Sequence, residues 1–106
     1  MPTEEIEHLL ESILVFEPGF KKEILSKSRS LGEDKLLELK NILLEVGRWQ
    51  KITLDKITKD EPSFMVKIEN AKRKTEKEVM DLYKQKLEKA DREKMEIILG
   101  KISKYE

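Results

Sequence analysis

His8 is the chain's one histidine, with Glu4 four residues before it and Glu11 three residues after it. On a helix these offsets bring an imidazole and two carboxylates to one face, donor types that zinc and other transition metals accept. The set lies on the side opposite Ile6, Leu10 and Ile13, on a solvated helix end with no second layer of groups to orient the ligands. It reads as an exposed acidic face, and no metal or other cofactor is expected.

Nucleophilic catalysis needs a Ser or Thr beside a base, and no nucleophile motif accompanies His8. The four glycines, Gly19, Gly32, Gly47 and Gly100, are scattered and form no phosphate-cradling loop. Arg48, Arg73 and Arg92 project away from the apolar faces described below, and Arg29 falls in a serine-rich turn, so the arginines do not line a carboxylate-gripping pocket. The chain is therefore read as non-enzymatic, with no catalytic residue and no small-molecule substrate.

The densest charge lies between Lys67 and Lys94, with ten basic and seven acidic residues. Binding a nucleic-acid backbone requires bases unopposed by acids, because affinity comes from releasing condensed counterions. Angular placement leaves a small excess of base at Lys67, Arg73, Lys74 and Lys77, which are the candidate phosphate contacts. The same run offers helix-supporting pairs such as Glu69 with Arg73, Lys72 with Glu76 and Lys74 with Glu78, each worth roughly 0.2 to 0.5 kcal/mol. No aromatics are interleaved to stack bases, and no helix-turn-helix or zinc motif is present. A self-laced, solvated helix face is the first reading, and an accessory nucleic-acid-binding role is the alternative.

Trp49 shares its helical face with Ile42, Val46 and Thr53, which indicates core packing rather than ligand stacking. Met65, Met80 and Met95 read as gap fillers.

The 106 residues match the commonest domain size, so one domain over 1–106 is expected. Apolar residues make only 38% and charged residues 42%, but the apolar ones are periodic, which separates the chain from disordered sequences of similar charge. Twenty-two bases balance 22 acids, so no global field draws the chain to nucleic acid or to an anionic membrane. There is no cysteine, no run near the roughly 18 apolar residues of a membrane span, and no signal-peptide pattern at the N-terminus. A soluble cytoplasmic protein without membrane contact is expected.

The elements follow from periodicity. Thr3 can cap a first helix carrying Ile6, Leu9, Leu10, Ile13 and Leu14, stopped by Pro18 and Gly19. A shorter helix spans roughly Phe20 to Ser28, so residues 1–31 hold two short helices. Ser30 and Glu33 have capping-box spacing at the start of a long helix over 32–60. That helix carries Leu36, Leu39, Ile42, Leu43, Val46, Trp49, Thr53 and Ile57 on a broad face and Leu37 and Leu44 on a separate stripe.

Pro62 opens another long helix over 63–104, with a kink or a change of neighbour at Asp91–Lys94. Its first half bears a narrow stripe at near-heptad, coiled-coil-like spacing. The expected fold is an all-α helical bundle built on a long antiparallel helical hairpin with two short N-terminal helices. The expected function is a helical interaction or scaffold module acting on a protein partner or on itself, as a homo-oligomer. Its candidate interface is Leu37, Leu44, Phe64, Ile68, Ala71, Thr75, Val79 and Leu82.

Overall fold

The first helix, α1 (Pro2–Ser12), turns Ile6 and Leu10 inward and ends one turn earlier than its periodicity suggests. Beyond Ser12 come Ile13, Val15 and Phe16, β-branched and aromatic side chains that lose rotamer freedom in a helix. They enter the core from a bent segment, all three buried. A computed structural model describes the backbone of residues 2–105 and the side chains of residues 3–104; Met1 and Glu106, the ends of the expected domain span, lie outside the described residues.

Helix α2 (Pro18–Ser28) starts on Pro18 itself, two residues before the expected Phe20. Pro is well placed in a first helical turn, where its missing N–H is not needed. Phe16 and Phe20 meet edge to face across this turn with ring centroids 5.1 Å apart. The expected capping box at Ser30 does not form. The Ser30 hydroxyl donates instead to the Lys27 carbonyl at 2.9 Å, closing the end of α2, and Gly32 is the N-cap of the next helix without a side-chain hydrogen bond.

Helix α3 (Glu33–Asp60) has the expected length and inward face, with Leu39, Leu43, Val46, Trp49, Thr53 and Ile57 all buried. Its 28 residues give about 42 Å at 1.5 Å per residue, matching the molecule's longest dimension of 42 Å.

The second long helix expected over 63–104 is instead three helices, α4 (Phe64–Lys72), α5 (Glu76–Lys86) and α6 (Lys89–Ile102), followed by a 3-10 turn at Ser103–Tyr105. One continuous helix of about 40 residues would reach roughly 60 Å, far past the 42 Å extent. The first break is at Thr75, whose extended backbone (φ −150°, ψ 154°) lets its hydroxyl accept the Glu78 amide at 3.1 Å as an N-cap. The second is at Leu87 and Glu88, both extended. There Leu87 turns into the core, and Arg92 reaches back to donate to the Lys84 carbonyl at 3.3 Å. Helix α6 is continuous through Asp91–Lys94, where a kink or a change of neighbour is expected, and the neighbour it meets is α3.

Every regular element among the described residues is helical, and one apolar cluster draws on all six helices. Helix α1 packs along α3 and against α2, α4 packs against α5, and α6 packs against α3.

A polar node sits in the middle of this core. Gln50 of α3 accepts the Leu14 amide at 2.8 Å and donates to the Ser12 carbonyl at 2.9 Å, satisfying the backbone where α1 ends. The Tyr83 hydroxyl donates to the Gln50 carbonyl at 3.1 Å and is in hydrogen-bond contact with the Thr53 hydroxyl. The Trp49 ring lies edge-on to Tyr83 with centroids 6.2 Å apart, its indole N–H buried without a hydrogen-bond partner among the described residues.

Burial pushes the Tyr83 phenol up to about 12 from an ordinary value of 10.0, against an opposing hydrogen bond from Thr53 and with a further rise from Asp91. The folded value lies above the unfolded one, so the stabilisation tied to the neutral phenol is complete below about pH 10 and is lost as pH rises through about 12. In an alkaline titration followed by tyrosinate absorbance, the late step near pH 12 is expected to vanish in Tyr83→Phe.

Candidate interaction surface

The structure divides the expected interface into two groups with opposite environments. Phe64, Ile68, Ala71 and Val79 are buried in the chain's own core. The apolar seam expected to await a partner is thus covered by the molecule itself, because the turn at Thr75 folds α4 and α5 onto each other and toward α3. Thr75 is exposed and serves as the N-cap of α5, and Leu82 is half-buried at the edge of the core.

Leu37 and Leu44 belong to the outward face of α3. Leu37 is 57% exposed and Leu44 is half-buried. Ile52 stands on the same face and is also 57% exposed. Fifteen residues separate it from Leu37, which brings it within about 60° at 100° per residue. Asn41, Arg48 and Asp55 lie along the same line and are exposed, so the stripe from Leu37 to Asp55 is open to solvent for about 27 Å.

Two helices bound this stripe. On one flank Lys40 pairs with Glu5 of α1 at 2.7 Å, and on the other Glu45 pairs with Lys101 of α6 at 3.9 Å. The Lys40 ammonium, through a hydrogen bond and its charge, holds the Glu5 carboxyl below its usual range. One turn before Lys101 on the same α6 face stands Ile97, 62% exposed. Ile52 and Ile97 escape a search for heptad partners of Leu37 and Leu44. An offset of eight residues from Leu44, and the approach of α6 to α3, are what add them.

The four candidate phosphate contacts also separate. Lys67 and Lys86 converge on Glu61 from α4 and α5, Lys67 in direct contact and Lys86 at 3.0 Å. The hydrogen bonds of these two ammonium groups hold the Glu61 carboxyl below its usual range. Lys67 is therefore a bracket between helices. Arg73, Lys74 and Lys77 are exposed around the α4–α5 turn, with no carboxylate within 4 Å among the described residues. The break also cancels the i,i+4 register expected for Lys72 with Glu76 and Lys74 with Glu78, and Glu69, expected to pair with Arg73, takes Lys72 instead. Lys72 pairs with Glu69 at 3.3 Å, and Glu76 with Lys21 of α2 at 3.7 Å.

Lys21 lies in a cleft of about 230 Å³ lined by Glu11, Ile13, Phe16, Lys72, Glu76 and Val79. Burial lowers its ammonium pKa and Glu76 opposes that shift. The volume falls below the roughly 300 Å³ at which ligand pockets begin. His8 approaches Glu11 at 3.9 Å with both side chains largely exposed, and no group of three His, Cys, Asp or Glu among the described residues could hold a metal ion. No helix among them is long and apolar enough to cross a membrane. The chain matches no family model, no curated protein and no solved structure.

Proposed function

We propose that the protein is a non-enzymatic helical interaction module that associates with itself through the outward face of α3. The observation that carries this reading is the line of Leu37, Leu44 and Ile52, with Ile97 beside it, on a helix whose other large apolar side chains face the core. Single exposed apolar residues are ordinary, whereas a set aligned on one face and rimmed by charge is what interaction surfaces present. The rim here consists of Lys40 with Glu5 and Glu45 with Lys101. The proposal includes a cytoplasmic location, with which a chain without cysteine is compatible.

Light scattering at high micromolar concentration is expected to give a mass above that of one 12.5 kDa chain. The double variant Leu37→Ser with Ile52→Ser should shift that mass toward the monomer while keeping the helical circular dichroism. A wild-type chain that remains monomeric there rejects self-association.

A second reading has one observation of its own, the three exposed bases Arg73, Lys74 and Lys77 gathered by the α4–α5 turn with no carboxylate within 4 Å among the described residues. As a phosphate-backbone contact, with Lys67 released from Glu61, this strip predicts retardation of DNA or RNA at about 50 mM salt that weakens steeply as salt rises. Reversing the four charges should abolish it, and no retardation of the wild type at that salt rejects it.

A further inference from the structure

The self-association proposed above leaves open how two copies meet, and α3 itself supplies the answer. Its first half, 33–45, carries Glu33, Asp34, Glu38 and Glu45 against Lys35 and Lys40, a net −2. Its second half, 46–60, carries Arg48, Lys51, Lys56 and Lys59 against Asp55 and Asp60, a net +2. Two parallel copies would set like halves together. Two antiparallel copies set each acidic half against a basic one.

We propose that the occupant of the α3 face is a second copy of this chain, docked antiparallel about a two-fold axis near Leu44 and Glu45. This rests on the reading of α3 as a self-association surface. With that axis, Leu37 of each copy lies level with Ile52 of the other, and the two Leu44 side chains meet between these layers. Asn41 lies level with Arg48 of the second copy. The apolar stripe and the charge halves therefore select the same arrangement, although they are independent features of the helix.

In an antiparallel helix pair the same flank of each helix faces its own copy. Glu45 would meet Glu45 of the second copy near the axis, and its pairing with Lys101 of α6 offsets that charge. Arg48, exposed one turn along, lies within reach of the same carboxylate of the second copy. The interface is isologous and closed, so association stops at the dimer.

The absence of cysteine makes a direct test clean. Leu37→Cys and Ile52→Cys are prepared as separate chains, each substitution at an exposed position, and treated with a short bismaleimide singly and mixed. Within one chain the two positions are about 22 Å apart along α3, so a short linker reports contact between copies. The expected result is crosslinked dimer from the mixture and little from either variant alone, with Leu44→Cys crosslinking to itself. Efficient self-crosslinking of Leu37→Cys and Ile52→Cys would show a parallel pair and overturn the proposal. A dimer by mass that crosslinks at none of these positions overturns it too, while leaving self-association standing through another surface. A monomer by mass rejects both.

Discussion

The arrangement turns on the buried carboxamide of Gln50. Its two hydrogen bonds take up the Ser12 carbonyl and the Leu14 amide, groups that lose their helical partners when α1 ends inside the core. Leaving either one buried and unpaired would cost about 1–3 kcal/mol, so the segment is held where the amide can reach it. The backbone carbonyl of the same residue receives the Tyr83 hydroxyl from α5. One position of α3 thus ties down the N-terminal segment and the C-terminal half, and the rotation of α3 about its own axis is set. A slip of one residue would turn the helix by about 100° and carry the amide away from both partners.

With that rotation set, the remaining features of α3 follow. Leu39, Leu43, Val46, Trp49, Thr53 and Ile57 face inward, which leaves Leu37, Leu44 and Ile52 outward. Helix α1 comes alongside on the flank of Lys40, and α6 on the flank of Glu45, so the outward stripe is bordered but uncovered. The same helix thereby serves as the axis of the core on one side and as the candidate docking face on the other. Charge is divided along its length, acidic toward the N-terminus and basic toward the C-terminus, a distribution that also suits its dipole.

The sequence reveals α3 well and the chain beyond it poorly, for physical reasons. In α3 the apolar spacing is dense and unbroken, and the helix is long enough for its period to dominate local preferences. From Phe64 onward the chain lacks Pro and Gly until Gly100, which reads as one helix. The first break was nevertheless written in Thr75 and Glu78, whose spacing is that of an N-cap and its third residue. Thr75 also falls at a heptad position of the apolar stripe, and the cap role wins. The break at Leu87 has no comparable signature, since burying Leu87 is a demand of the tertiary core. Ser30 and Glu33 show the reverse error, a cap spacing that the free carbonyls ending α2 outcompete. The candidate interface follows the same division. The period of α3 is strong enough to put Leu37 and Leu44 on its outward face, whereas the stripe from Phe64 to Leu82 is free only on a straight helix.

The central claim is that the outward face of α3 is where this molecule meets another copy of itself. Backbone amide shifts of labelled protein, followed by NMR from high to low micromolar concentration, test it most directly. The account predicts that the concentration-dependent shifts cluster between Leu37 and Asp55 and around Ile97, while Arg73 to Lys77 stay fixed. Shifts that cluster elsewhere, or none in a protein whose mass exceeds the monomer's, would contradict it.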